Sequence, residues 1–239
     1  MENIDYTTEL VLGENINFQD ICTIHQHTLS EIRAFGYGNY GQLLLPYTIS
    51  KESLNIENDN VTNFDLLFIN LTNEEGNEID MFDLFIQSLK LFCKEETILI
   101  NKEDSSFVFK KGVIDKNNFD EFANIMLKIN GLEKSKKTVP PKNKEKLSIW
   151  EKLQKGRAKK NINADNDANL ANILNIVKFG MESYISKEEL RKMTMWEIYN
   201  AYKNIINKES YRNNFEISLV STTENKDLDL KHWTVKTIN

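Results

Sequence analysis

Proline and glycine are scarce in this chain of 239 residues, with 3 Pro and 9 Gly. A turn-rich sandwich or barrel uses more of both, so the shortage points to helices with few interruptions. Long apolar runs are missing too. The longest, Met81 to Cys93, is broken by Asp83, Gln87 and Lys90, and so falls short of the roughly 20 residues a bilayer-spanning helix needs. No membrane partner is expected. The opening Met1-Glu-Asn-Ile-Asp5 is acidic where a secretory signal has a basic segment before an apolar one. Cysteine is limited to Cys22 and Cys93, which make no framework and read as free thiols in a reducing compartment. The Asn-X-Thr triplets at Asn60 and Asn70 are then chance occurrences, not glycosylation sites.

What the chain does have is 40% hydrophobic residues, enough apolar surface to offset the entropy of ordering a core. Its net charge of −6 is uneven. Residues 133–160 hold 11 Lys or Arg against 3 Glu, a local excess of +8 that leaves −14 on the remainder. Lys outnumbers Arg 26 to 4, a skew that follows from AT-rich codons and says little about function.

The expected architecture is α+β: a mixed strand and helix unit over 1–131, a Lys-rich linker over 132–147 and a helical unit with a C-terminal tail over 148–239. In the first unit, Glu9–Leu12 and Ile16–Phe18 read as a hairpin around Gly13, and Ile21–His27 alternates like a strand. Thr28-Leu-Ser-Glu31 is a capping box whose short helix closes at Gly36. A second helix through Tyr40–Leu45 should stop at Pro46, and Asn63 should cap a third over Asp65–Ile69. Asp80 caps the clearest helix, with Met81, Leu84, Phe85, Ser88, Leu89 and Phe92 on one face. Thr97–Ile100 and Ser106–Phe109 form a hairpin, and Asn117 or Asn118 caps a helix that stops at Asn130-Gly131.

The linker carries Pro140-Pro141 and six Lys. Beyond it, helices are expected from Ser148, through Leu170, Ile173, Leu174 and Val177, and after two further capping boxes, Ser186-Lys-Glu-Glu189 and Thr194-Met-Trp-Glu197. The last box opens a long helix with Ile198, Tyr199, Tyr202, Ile205 and Ile206 as its buried stripe. No repeat of fixed period is present.

Chemical motifs are few. Gly36-Tyr-Gly38-Asn-Tyr-Gly41 has the letters of a dinucleotide fingerprint, but that fingerprint needs a strand to deliver the glycines to a helix start. Here a capped helix precedes them, so Gly36 reads as a C-cap and Gly38 and Gly41 as turn residues. Cys22, His25 and His27 are too few for a closed zinc site, and on a strand Cys22 would face away from the two histidines. No cofactor and no metal are therefore expected. Carboxylate pairs such as Asp80 with Asp83 and Glu188 with Glu189 sit at helix starts, where capping and the dipole account for them. No nucleophile elbow, phosphate loop or His-Glu-X-X-His is present, and the chain is expected not to be an enzyme. The basic stretch is the one nucleic-acid signal, weakened by its single aromatic, Trp150, and its shortage of Arg.

Several segments of the second half resemble a family. Trp150-Glu-Lys-Leu-Gln-Lys-Gly-Arg157, the stretch Ile173-Leu-Asn-Ile-Val177, Met193-Thr-Met-Trp-Glu-Ile-Tyr-Asn200 and Leu230-Lys-His-Trp-Thr234 are similar to proteins from tail modules of phages that infect low-GC bacteria. Ile21 to Gly36, Asn118-Phe119 and Asn130 are similar to the first half of the same proteins. These are tail-assembly chaperones or baseplate and tail morphogenesis factors. The resemblance implies a non-enzymatic role in tail assembly, with tape-measure or baseplate proteins as partners and a homo-oligomer as a further option. It places the protein in the host cytoplasm during assembly or in the virion tail. Trp150, Trp196, Tyr199, Tyr202 and Trp233 are the candidate interaction residues. Trp196, Tyr199 and Tyr202 also suit a helical core, and the terminal Trp233 is either pinned onto its own unit or offered to a partner.

Overall fold

The computed structural model describes residues 6–54, 56, 58, 60–72, 76, 78–95, 98–101, 105–132, 169–220, 232 and 234. The expected linker beyond Leu132, the helix from Ser148, Trp150 and Trp233 lie outside the described residues. The fold is α+β, with strands and helices mixed in the N-terminal part and, among the described residues, helices in the C-terminal part. The chain divides into two units, one of residues 1–134 with Arg191–Glu197 and one of Ser135–Leu190 with Ile198–Asn239.

The first unit opens with helix α1 (Thr7–Leu12), where a strand was expected. Gly13, at φ 64°, ends it by turning its N–H onto the carbonyls of Glu9 and Leu10. Of the Leu-Val-Leu run only Leu10 is buried, so the apolar letters that suggested a strand serve a single inward position. The hairpin lies one element later. Strand β1 (Ile16–Phe18) pairs antiparallel with β2 (Cys22–Ile24), Phe18 opposite Cys22, around Gln19 and Asp20, both at positive φ. The side-chain amide of Gln26 then donates to the carbonyls of Glu9 and Glu14, tying α1 to the chain beyond the hairpin.

Helix α2 (Leu29–Phe35) carries its expected capping box: Thr28 accepts from the Glu31 N–H and the Glu31 carboxylate returns to the Thr28 N–H. Gly36, at φ 100°, separates it from α3 (Tyr37–Gln42). Gly38 and Gly41 are therefore helical and not turn residues. Pro46 does not end a helix either. It sits inside the first turn of α4 (Leu45–Thr48), where a missing N–H costs nothing. Asp65–Phe68 form a 3-10 helix whose start is organised by Thr62, paired reciprocally with Asp65. Asn63 instead accepts from the Lys51 N–H and donates to Asp120.

Strands β3 (Asn70–Thr72) and β4 (Glu78–Asp80) form a second antiparallel pair. Asp80 then caps α5 (Met81–Phe92) by accepting from the Asp83 N–H. The expected second hairpin is present as β5 (Leu99–Ile100) with β6 (Phe107–Val108), and β7 (Val113–Ile114) adds an unforeseen third strand. Helix α6 (Phe119–Ile129) stops at Asn130 and Gly131 as expected. The side chain of Asn118 does not cap it. That side chain accepts from the Asp115 N–H and donates to the Val113 carbonyl, bracing the turn before the helix.

These elements close on an aromatic core. Phe85 is fully buried, with the rings of Phe107, Tyr47, Phe119 and Phe122 at centroid distances of 4.8, 5.7, 5.7 and 6.4 Å. Two buried polar links cross it. The Tyr40 hydroxyl donates to Asn130 Oδ1 at 2.5 Å, and the Tyr47 hydroxyl bonds the Ser88 hydroxyl. Burial pushes both phenols above their usual pKa, so both stay protonated. The late segment Arg191–Glu197 belongs to this unit as well: Thr194 bridges Thr28 in antiparallel fashion, and the Leu29 N–H donates to the Met193 carbonyl at 2.9 Å.

The described part of the second unit is helical. Helix α7 (Leu170–Gly180) is capped by Asn169, α8 (Lys187–Lys192) by the Ser186–Glu189 box, and α9 (Met195–Val220) begins at the Thr194–Glu197 box. The last two residues of α8 and the first three of α9 count with the first unit, and the rest of each with the second.

Candidate functional site

The candidate surface is built on the described helices of the second unit, where few apolar side chains are covered. Among the described residues of that unit, the buried hydrophobics are Ile173, Val177, Leu190 and Ile198. Against them stand Phe179 at 70%, Tyr184 at 72% and Leu219 at 70% exposure. Met181, Ile206, Phe215 and Ile217 are exposed as well. The expected stripe of α9 thus holds at Ile198, is half-buried at Tyr199, Tyr202 and Ile205, and fails at Ile206.

Local packing shows how these side chains are presented. A Cβ on Gly180 would stand 2.9 Å from Ile205 Cγ2, so the end of α7 comes against α9 at a distance only glycine allows without a shift. Just beyond, Glu182 bonds Lys208 and lies 3.9 Å from Arg212, which also pairs with Glu209 at 3.5 Å. The Lys208 ammonium holds the Glu182 carboxyl below its usual pKa. The connection after α7 is thereby pinned by ion pairs, while its Met181 and Tyr184 stay in solvent and Ile185 is half-buried. Lys178 places its ammonium 4.8 Å from the Phe179 ring centre and 6.0 Å from that of Tyr184.

Of the candidate residues read from the sequence, Trp196 is half-buried and packs against the core of the first unit. Tyr199 is half-buried, its phenol pushed up by desolvation, and Tyr202 is half-buried too. No ring contact among the described residues joins these three. Trp150 and Trp233 lie outside the described residues. The aromatic contact that sequence reasoning missed is Tyr211, stacked on Phe215 at 6.2 Å and met edge-on by His232 at 5.1 Å. The i, i+4 spacing of Tyr211 and Phe215 was the available signal.

Cys22, His25 and His27 do not converge. Cys22 turns inward to Cys93, Sγ to Sγ 3.6 Å. His27 reaches the Leu91 carbonyl at 3.3 Å and meets the Phe92 ring edge-on. Burial lowers the pKa of its imidazole, partly opposed by Glu31 at 3.9 Å. Among the described residues no group of three or more His, Cys, Asp or Glu is placed to hold a metal, and no helix is long and apolar enough to cross a membrane. Gly36–Gly41 follow helix α2, not a strand, so they lack the setting of a dinucleotide site.

No curated protein and no solved structure matches the chain. A family model described as YomV second domain matches residues 158–238, a span that contains α7, α8 and α9. The exposed helical surface therefore falls within the part of the chain that is similar to the YomV second domain, and that match suggests a phage-derived protein.

Proposed function

We propose that this chain is a non-enzymatic bacteriophage tail morphogenesis protein, a tail-assembly chaperone that shields apolar surface of a tail component such as the tape-measure protein. The observation that carries this reading is the exposed apolar set on the second unit, Phe179, Tyr184, Phe215, Ile217 and Leu219, inside the span similar to the YomV second domain. A chaperone of this kind needs apolar side chains held out by a folded frame, and Phe215 and Leu219, four residues apart, share one face of α9. The Gly180–Ile205 approach and the Glu182 ion pairs are such a frame.

The test is co-expression with the tape-measure protein of the same phage. The wild type should keep that protein soluble and co-purify with it. Phe215→Asp with Leu219→Asp should lose both effects while the helical content and melt stay the same. Capture that survives these changes would sink the reading. A structural subunit of the tail or baseplate is the second reading, and it requires the protein in finished, washed particles. Nucleic-acid binding through the basic linker is the third. For it, replacing Lys134, Lys136, Lys137, Lys142, Lys144 and Lys146 with Gln should lower affinity and flatten the salt dependence.

A further inference from the structure

The chain has two cysteines, and the fold brings them together although 70 residues separate them in sequence. Cys22 opens β2 and Cys93 follows the last turn of α5. Their surroundings are tied at several points. The His25 N–H donates to the Phe92 carbonyl at 2.8 Å, and the His27 ring reaches the Leu91 carbonyl. The Cys93 N–H closes α5 onto Leu89. Within this frame the two sulfurs lie 3.6 Å apart, the Cys93 thiol donating to Cys22, with residue exposures of 6% and 7%. A disulfide bond is about 2.05 Å long, so closing the pair needs a shift of roughly 1.5 Å, within reach of side-chain rotation.

We propose that Cys22 and Cys93 are a reversible redox pair, which a peroxide closes into a disulfide joining the first hairpin to the end of α5. In the first step the Cys22 thiolate attacks a peroxide oxygen. The S–O bond forms, the O–O bond breaks, and the leaving hydroxide takes up a proton as water. In the second step Cys93 attacks the sulfenic sulfur. The S–S bond forms, the S–O bond breaks, and the Cys93 proton leaves with the hydroxyl as a second water. Peroxide gains two electrons and the two thiols lose them. The order follows from the geometry: the hydrogen bond to Cys22, and then burial, hold the proton on Cys93, which suits it to resolve and not to start the reaction. Low exposure makes the first step slow and restricts it to small oxidants. Once closed, the bond restrains the loop that carries α2 to α5, which narrows the unfolded ensemble and raises stability.

The experiment treats the full chain with hydrogen peroxide in native buffer, then alkylates it in denaturant and maps its peptides without reductant. The expected result is a chain lighter by two hydrogens, with the Cys22 and Cys93 peptides linked and no thiol left to alkylate. Dithiothreitol should restore both thiols, and the oxidised chain should melt at higher temperature than the reduced one. In Cys93→Ser, dimedone should trap a sulfenic acid on Cys22. Two alkylatable thiols after peroxide, a sulfinic acid on one sulfur without linkage, or a disulfide between chains would each overturn the proposal. The wild-type peptide map decides the matter even where the variant folds poorly.

Discussion

The first unit and the described helices of the second treat their apolar residues in opposite ways. In the first, Phe85, Phe107, Phe119 and Phe122 are closed against one another, and polar groups that enter the core arrive in matched pairs such as Tyr40 with Asn130. Apolar side chains also reach its surface, Val11 and Leu99 among them, but over a large closed interior. In the second unit the described helices bury four hydrophobics and leave Phe179, Tyr184 and Phe215 exposed, steadied by ion pairs and a single glycine contact. A unit that closes its own core has stability independent of partners. On the proposed function, Phe179, Tyr184 and Leu219 are the side chains that a partner covers.

The contrast is most sharply tested at its centre. Phe85→Ala removes a fully buried ring with four aromatic neighbours, and should destabilise the first unit by about 3–5 kcal/mol in denaturant titration. A loss below about 1 kcal/mol would mean that this core is not closed. Tyr40→Phe keeps the ring and leaves Asn130 Oδ1 without its donor, for an expected loss of about 1–3 kcal/mol in the same assay.

Acid should act next, and in two windows. The unfolded His27 imidazole titrates near 6.5 and the folded one lower, so between those values the unfolded chain binds more protons. Stability should therefore fall as pH is lowered through that range. Glu31, held below 4.5 first by its bond from the Thr28 N–H, adds a second loss as pH falls through its folded value. His27→Gln should flatten the upper window and keep most of the lower, since the Thr28 N–H and not the imidazole is the first cause of the Glu31 shift. His25, also lowered by burial, leaves a residue of the upper one. Melts at stepped pH decide this, and an upper window unchanged in the variant would remove His27 as its source. At the small end, Leu219→Ser should shift stability by less than about 0.5 kcal/mol, since its side chain is 70% exposed. A large loss there would show that the helix face is covered after all.

Local signals were the legible ones. The boxes at Thr28, Ser186 and Thr194 and the cap Asp80 each involve groups three residues apart, and each is in place. Thr7–Leu12 misled because Leu-Val-Leu suits a strand, whereas only Leu10 needed to point inward. Strand β7 is two residues long and shows no alternation to read. The surface of the second unit was harder still. Phe215 and Leu219 carry the same letters whether buried or exposed, and only packing tells them apart. The meeting of Cys22 and Cys93 has no local pattern at all, since it depends on how β2 and the end of α5 come together.

The return of Arg191–Glu197 to the first unit has a consequence for synthesis. Residues 1–134 leave the ribosome well before Thr194 can bridge Thr28 or Met195 and Trp196 can pack on the core. At roughly 5–20 residues per second, translation leaves a gap of roughly 3 to 13 s. For that interval the nascent first unit waits with its seam at Leu29 unsealed, and a fragment released at Lys134 would keep it open permanently.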